Sequence, residues 1–247
     1  MKNKIISILL FCCSISATAQ IVVPPIDHSL DAPSEKRIME RPELGRFVLS
    51  AGGGLSWRIA RIEGDLNQTA KAFNKDLKSG NNWDASLLYF FNRRFGFGLI
   101  ANSSFTTARL DDIGVEVNGV AAFGDISEKI NIDFYGVTFA GRAVNYERSG
   151  YFYYQASLGL LNYRDKFLWP KGEILLDGQT IGIMLSAGYA VRIQKNVSFG
   201  VGVNFLQGEL PSYTQTINGI KQKINLPEDQ YIGLTHFDFK AELIFSF

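Results

Sequence analysis

The sequence is poor in the side chains that most enzymes and metal proteins use. It contains two cysteines, Cys12 and Cys13, and two histidines, His28 and His236. Both cysteines lie in an N-terminal segment interpreted below as a cleaved signal, so the mature chain is expected to have none. This excludes disulfides, cysteine nucleophiles and cysteine-ligated metals, and two isolated histidines make no ligand cluster. We therefore expect no metal and no cofactor.

An excess of charge of one sign is also lacking. The chain has 25 Lys and Arg against 24 Asp and Glu, and removal of Lys2 and Lys4 with the signal leaves 23 basic residues. A mature charge near −1 gives no electrostatic footprint for nucleic acid, which we exclude as a partner. After the N-terminus the sequence has no apolar run of ~20 residues, the length that a membrane-spanning helix needs. A membrane location would have to come from strands.

The N-terminal 44 residues divide into two segments. Residues 1–19 have a basic start, an apolar stretch and a small-residue site at Ala17-Thr18-Ala19, which predicts a cleaved signal peptide. A lipoprotein signal at Cys12 is the alternative, although bulky Phe11 before it fits that pattern poorly. Residues 20–44 are polar and bear several prolines, and we interpret them as a periplasmic leader. The remaining 45–247 form one predicted domain.

Strand-like segments dominate the rest of the chain, which is rich in Phe, Tyr and Gly. Eight segments are predicted: Arg46–Ala60, Trp83–Asn92, Phe95–Leu110, Ile130–Asn145, Tyr151–Asp165, Thr180–Ile193, Val197–Glu209 and Tyr231–Phe247. Their connections alternate between short turns and segments of roughly 14 to 22 residues. An up-and-down transmembrane barrel has this pattern, with short periplasmic turns and long external loops.

The last segment shows the alternation most clearly. From Phe237 to Phe247 one set of alternate residues is apolar, while His236, Asp238, Lys240 and Glu242 share the other set. Successive side chains of a strand point to opposite faces. In a transmembrane barrel the apolar face meets lipid and the polar face the lumen, whereas a soluble sandwich or lipocalin-like barrel, the alternative, has the reverse.

The long connections contain turn signals of their own. Asn118-Gly119, Asp177-Gly178 and Asn218-Gly219 each lie between strand-forming residues, and these dipeptides favour two-residue hairpin turns. We expect three hairpins that carry strands beyond the membrane. The first long connection lacks such a centre, and its Ala70–Leu77 portion is expected to form a short helix.

Inward positions of the predicted barrel are mostly small residues with a few large charges among them. An eight-stranded barrel has an interior just wide enough for side chains to fill, and buried charges must be paired. We predict a stacked ion-pair plug in which Glu242 pairs with Arg192 or Arg142, and Lys240 with Asp84 or Asp238. The predicted network comprises Arg58, Asp84, Arg142, Arg192, His236, Asp238, Lys240 and Glu242.

His236 and Asp238 share a strand face, so an acid–base pair is conceivable. The sequence places no serine obviously beside them, because Thr235 points to the opposite face. A hydrogen-bonded lumen histidine is the preferred interpretation, and the chain is expected not to be an enzyme.

The signal peptide, the eight alternating strands, the short–long connections and the terminal Phe245-Ser246-Phe247 resemble the small outer-membrane β-barrel proteins, the OmpA/OmpX/OmpW-like group. The resemblance covers about Gly45 to Phe247. It implies an all-β, eight-stranded antiparallel barrel in the bacterial outer membrane. It also implies that the assembly machinery reads Phe245 and Phe247 as its signal, although Glu242 stands where that signal often has glycine.

From the resemblance we expect a structural or protein-interaction role at the cell surface or in the periplasm, with outer-membrane lipid as a partner. A narrow channel for small or apolar solutes is the first alternative, and a lipid-modifying enzyme is the second. The His-Ser pattern of lipid A deacylases is absent around His236, so no catalytic residue of the barrel enzymes transfers to this chain.

Overall fold

The structure is a computed structural model that describes residues 45–59, 73–117, 120–144, 150–170 and 172–247. For residues 112–117, 120–122 and 144 it describes the backbone only. The described residues belong to one compact unit, residues 41–247. The predicted signal peptide and leader lie outside the described residues.

The described chain is built almost entirely from strands. These are β1 (Phe47–Arg58), β2 (Ser79–Phe90), β3 (Phe95–Val117), β4 (Val120–Val144), β5 (Gly150–Trp169), β6 (Gly172–Gln194), β7 (Val197–Leu210), β8 (Ser212–Ile217), β9 (Ile220–Asn225), β10 (Ile232–Gly233) and β11 (His236–Ser246). A short 3-10 helix, Glu228–Gln230, precedes β10. Among the described residues no helix is long and apolar enough to cross a membrane.

Eight of the strands close into a ring. Strands β1 to β6 each pair antiparallel with the next one, and β11 pairs with both β7 and β1. The hairpin of β8 and β9 attaches to the outer part of β6, and β10 attaches to β7. The prediction of an eight-stranded antiparallel up-and-down barrel is confirmed.

The alternation in β11 has the orientation of a transmembrane barrel. Phe237, Phe239 and Leu243 are exposed on the outer surface, whereas His236 and Asp238 are fully buried inside. On β5 the outward residues from Phe152 to Leu160 are all apolar or tyrosine. This nine-residue stretch fits the ~9–11 residues that a tilted strand needs to cross a bilayer.

One end of the barrel carries the short connections, which marks it as the periplasmic end. At the turn between β2 and β3, the Asn92 side-chain oxygen accepts hydrogen bonds from the backbone N–H groups of Arg94 (2.8 Å) and Phe95 (2.7 Å). Aromatic rings surround this end, with ring centroids 5.1 Å apart for Phe47 and Tyr89 and 4.8 Å apart for Phe152 and Tyr189. Such a girdle is typical of the membrane interface.

One of the three predicted hairpin centres is confirmed, and another, Asn118-Gly119, lies outside the described residues. The strands on either side of it pair as far as Val117, the last residue of β3, and Val120, the first residue of β4. Between β8 and β9, Asn218 and Gly219 have φ angles of 50° and 83°. Positive φ at both central residues is what the tight hairpin turn requires.

The prediction of a turn at Asp177-Gly178 is wrong. Both residues lie inside β6, where they pair with Arg164 and Tyr163, and the chain reverses between Trp169 and Gly172 instead. The small size of Gly178 has a packing reason, because an added Cβ would lie 2.7 Å from the Leu210 side chain.

The external end extends well beyond the barrel on one side. Strand β2 stops pairing with β3 at Gly80 and Thr106, while β3, β4, β5 and β6 continue, and β8 and β9 join them. We call this six-stranded extension the projecting sheet. Of the predicted helix over Ala70–Leu77, the described part is a helical turn at residues 73–76, with Phe73 and Leu77 buried over the barrel mouth.

Candidate functional site: the buried charged layer of the lumen

The centre of the lumen holds a cluster of buried charges on facing strands. The Lys240 ammonium on β11 lies 2.6 Å from Asp84 Oδ2 on β2 and 3.1 Å from Glu242 Oε2. All three side chains are only about 2% exposed. The strand period brings Lys240 and Glu242 to one face, and Asp84 reaches them across β1, where Gly52 and Gly54 leave room. We call this cluster, with the residues described next, the charged layer.

Neutral side chains complete the charged layer. Asn204 on β7 donates to Asp84 Oδ2 (3.1 Å), and Asn102 on β3 donates to Asp238 Oδ2 (3.0 Å). Hydrogen bonds to a buried charge are worth more than neutral ones, since the charge has no water to solvate it. Asn102 and Asn204 therefore contribute to the stability of the buried carboxylates, and the sequence interpretation missed them.

His236 lies at the external side of the charged layer. Its Nδ1 is 2.9 Å from the Leu234 carbonyl oxygen, and its Nε2 is 3.3 Å from Ser104 Oγ and 3.7 Å from Asp238 Oδ1. A carbonyl only accepts, so Nδ1 carries the proton and a neutral ring accepts from Ser104 at Nε2.

This geometry differs from that of a serine–histidine–acid triad. In a triad the acid holds the Nδ1–H and the serine alone faces Nε2. Here the backbone of Leu234 occupies Nδ1, and the serine and the acid both lie on the Nε2 side. Ser104, His236 and Asp238 are all buried. Ser104 therefore lies beside His236, where the sequence interpretation placed no serine. The arrangement of the three residues suits a structural hydrogen-bond chain.

The predicted network is only partly assembled. Asp84, His236, Asp238, Lys240 and Glu242 lie together in the charged layer. Arg58, Arg142 and Arg192 lie elsewhere, and Glu242 pairs with Lys240 instead of Arg142 or Arg192.

Each arginine has its own surroundings. Arg142 on β4, across the barrel from β11, has its guanidinium 3.8 Å from the centre of the Phe90 ring and donates to the carbonyls of Arg93 and Gly45. Arg192 is half-buried at the periplasmic end, beside Ser198. Arg58 is half-buried at the external end, where its positive charge lowers the pKa values of Glu128 and Asp165.

Apolar side chains close the lumen on both sides of the charged layer. The periplasmic apolar layer consists of Val48, Leu88, Phe90, Ala140, Tyr151, Tyr153, Ala190 and Ile244. The external apolar layer consists of Phe73, Leu77, Ile100, Ala108, Ile130, Ile132, Phe134, Leu161, Tyr163, Met184, Leu206, Leu210 and Leu234. The sequence interpretation expected small and charged residues throughout and missed these layers.

The periplasmic layer depends on glycines. The Tyr153 side chain crosses the lumen over Gly188 and Gly202, and a Cβ on either glycine would overlap the tyrosine hydroxyl. The Tyr153 ring centre is 6.0 Å from the Lys240 ammonium, so the aromatic residue also forms the floor of the charged layer.

Among the described residues, no group of three or more His, Cys, Asp or Glu side chains is arranged to hold a metal ion. Of the predicted assembly signal, Phe245 lies on the outer face of β11, and Phe247 directly follows the strand at the periplasmic end, where it is exposed.

Comparisons with known proteins found likeness at the level of structure only. No protein-family model matches the chain, and no curated protein matches its sequence. Several solved structures are similar. Neisserial surface protein A is 12% identical over 83% of this chain and 99% of its own, with a TM-score of 0.47. Ail of Yersinia pestis is 14% identical over 83% and 100%, with a TM-score of 0.44.

The outer-membrane protease OmpT of Escherichia coli is 10% identical over 83% of this chain and 94% of its own, with a TM-score of 0.43. These neighbours are bacterial outer-membrane β-barrel proteins, and one of the three is a protease. The chain itself closes into an eight-stranded antiparallel barrel with an outward apolar band, which is the architecture of a small outer-membrane β-barrel.

Proposed function

We propose that this protein is a closed outer-membrane barrel that acts as a structural and surface-contact component rather than as a pore or an enzyme. The observation that carries the proposal is the filling of the lumen. The charged layer lies between two apolar layers, and its ion pairs are almost fully buried. A solute or ion crossing the barrel would have to displace all three layers.

Within this plug, the charged layer favours one arrangement of the strands over others. A buried ion pair contributes little net stability, but it strongly disfavours arrangements in which either partner is left alone. The ion pair between Asp84 of β2 and Lys240 of β11 therefore favours one register of the closed barrel. Ser104, His236 and Asp238 belong to this packing, and their burial supports a non-enzymatic role.

The projecting sheet supplies the contact surface. Its edge strand β9 has no further strand beside it among the described residues, and it carries Lys221 and Lys223. An edge strand offers unpaired backbone groups to a partner strand, while edge lysines limit indiscriminate pairing. A protein partner at the cell surface is thus part of the proposal, as are assembly through Phe245 and Phe247 and location in the outer membrane after export.

Conductance of the purified protein in a planar lipid bilayer tests the closed lumen. We expect no discrete single-channel steps for the wild type, and none for Glu242→Gln, because the apolar layers remain. The same variant should unfold at a lower denaturant concentration. Discrete conductance in the wild type, or a conductance increase in Glu242→Gln with unchanged stability, would instead support the narrow-channel alternative.

A further inference from the structure

The outer wall of β4, β5 and β6 changes from apolar to polar within one step of the strand period. Tyr135, Leu160 and Ile181 lie side by side as the last apolar row. On the same outer face, the next row toward the external end consists of Asp133, Asn162 and Gln179. Asp133 accepts a hydrogen bond from Ser103, and Gln179 donates to Asn162 over 2.8 Å. This change marks the level at which the strands leave the hydrocarbon core.

A polar groove of about 490 Å³ opens directly above that level. It forms where the sheet divides, because β6 pairs with β7 only as far as Gly182 and with β8 from Asp177 outward. Asn162, Gln179 and Asp133 lie in its lower part, and Lys223 of β9 lines its other side. Its volume falls within the ~300–1,000 Å³ of small-molecule sites.

Basic side chains continue outward from the groove. Arg164 and Lys223 share the row above Asn162, and Lys129, Lys166 and Lys221 share the row after that. With ~3.4 Å per residue and a strand tilt of ~40°, these rows lie about 5 and 10 Å above the Asn162 row. They are therefore at the height of lipid headgroups and their outer substituents.

Some of these cations are paired with acids and some have no ion pair in the described part of the chain. Arg164 contacts Asp177 at 3.0 Å, and Lys166 contacts Glu173 at 2.9 Å. Lys221 and Lys223 have no acidic partner among the described residues. The side of the groove formed by β9 thus presents positive charge, whereas the side formed by β4, β5 and β6 presents two amides, the Asp133 carboxylate and the paired Arg164 and Asp177.

We propose that this groove binds the saccharide headgroup of an anionic glycolipid in the outer leaflet. The acyl chains would lie on the apolar row of Leu160 and Ile181. Sugar hydroxyls, which both donate and accept, match Asn162, Gln179 and Asp133, and a phosphate or carboxylate on the sugar matches Lys221 and Lys223. The position of the groove immediately above lipid-facing side chains favours a membrane lipid over a soluble ligand. The site is independent of the closed lumen.

Binding to the full-length protein in detergent micelles, measured by native mass spectrometry, tests the proposal. Three probes are compared: a diphosphorylated diglucosamine glycolipid, phosphatidylglycerol, and soluble glucosamine phosphate. We expect the glycolipid to bind at least tenfold more tightly than phosphatidylglycerol, and the soluble sugar phosphate to bind far more weakly than either lipid. Equal affinity for the two lipids would overturn a saccharide site, and equal affinity for the soluble probe would overturn a lipid ligand.

Variants locate the site. Lys221→Gln with Lys223→Gln should weaken glycolipid binding by roughly 25-fold, about fivefold for each basic residue near an anionic group. Gln179→Leu should reduce the preference for the glycolipid over phosphatidylglycerol. Lys195→Gln, an exposed lysine in the periplasmic turn after β6, is the matched control and should change nothing. An equal loss in Lys195→Gln would show a general charge effect and overturn the site.

Discussion

Lys240 is the residue on which the charged layer depends. It is the one ammonium between Asp84 and Glu242, and none of the three side chains has appreciable contact with solvent. Removing a charge from water costs several kcal/mol per ion, and a close opposite charge offsets this cost. Two buried carboxylates without Lys240 would also repel each other across a medium of low polarity.

Replacement of Lys240 by methionine should therefore be strongly destabilising. We expect Lys240→Met to lower the free energy of unfolding by ~3–5 kcal/mol, because Asp84 and Glu242 lose their partner. The triple variant Asp84→Asn, Lys240→Met, Glu242→Gln is the control and should recover most of the loss, since it removes every charge of the cluster. Urea unfolding in lipid vesicles measures both. A loss below about 1 kcal/mol in the single variant would contradict the described ion pairs.

The residues of the charged layer were predictable to different degrees. The strand period of β11 alone places His236, Asp238, Lys240 and Glu242 on one face. Which residue pairs with which depends on the stagger between strands that are distant in sequence, and β2 meets β11 only through β1. Sequence reasoning without that stagger matched Glu242 with arginines, and it had no reason to select Asn102 or Asn204 from among other polar residues.

At the scale of elements, β4 shows why the external apolar layer was missed. Its outward residues change from Val137 and Tyr135 to Asp133 and Asn131, and at the same level its inward residues are the buried Phe134 and Ile132. The alternation keeps its period but reverses its polarity where the strand leaves the membrane. A single polarity was assumed for each predicted strand, so the signal was present in the sequence and was not used.

The two Asx-Gly dipeptides with opposite outcomes make a related point. Asn218-Gly219 forms a turn because both residues adopt positive φ and the space beside Gly219 is open. Asp177-Gly178 lies in a strand because Leu210 covers the glycine and Arg164 pairs with the aspartate (3.0 Å). The dipeptide permits a turn, but tertiary contacts decide whether one forms.

Glu128, on the inward face of β4 in the projecting sheet, gives that element a pH dependence. Burial and, to a smaller extent, the charge of nearby Asp165 raise the pKa of this carboxyl to about 7, against the opposing effect of Arg58. Burial also raises the pKa of Asp165, while its hydrogen bond from Tyr163 and the charge of Arg58 lower it. The folded state therefore holds the Glu128 proton more tightly than the unfolded chain, whose carboxyl titrates near 4.5.

The sign of the effect follows from linkage. Between pH about 4.5 and 7 the folded state binds more protons than the unfolded state, so stability falls as pH rises through this range. We expect Glu128→Gln to abolish this component: the wild type should lose melting temperature relative to the variant between pH 5 and 7.5. Glu173→Gln, on the exposed face of β6, is the control and should keep the wild-type slope. Parallel pH profiles for wild type and Glu128→Gln would contradict the raised pKa of this half-buried carboxyl.

At the scale of the whole molecule, the outer wall of the barrel meets lipid along one part of its height and water along another. Inside, apolar layers occupy both ends and the charges the middle, while outside an apolar band is followed by the polar groove and the projecting sheet. The sequence predicted the ring of eight strands because alternation and connection length are local properties. The height of the band on each strand was not predicted, because it depends on the tilt and stagger of the closed ring.

Two leucines on the same face of β5 test where the membrane lies. Leu158 and Leu168 are 55% and 38% exposed on the outer surface, but Leu158 pairs with Val137 and Ile183, and Leu168 with Ser127 and Glu173. Ten residues of strand separate them by ~34 Å along the chain. We infer that Leu158 lies inside the hydrocarbon, one outward row from its external boundary, and that Leu168 lies outside it. Leu158→Arg should cost ~2 kcal/mol, the lower end of the midplane range, and Leu168→Arg ~0–1 kcal/mol of unfolding free energy, measured by guanidinium unfolding in phospholipid vesicles.

The two substitutions are chemically identical and lie on one strand face, so strand propensity and side-chain size cancel in the comparison. The remaining difference is the cost of holding a guanidinium in hydrocarbon, where neither water nor a paired acid is at hand. Repeating both measurements in detergent micelles should shrink the difference, because a micelle deforms and admits water more easily than a bilayer. Equal costs of the two substitutions in vesicles would mean that the membrane does not cover Leu158. That result would contradict the assignment of the apolar band.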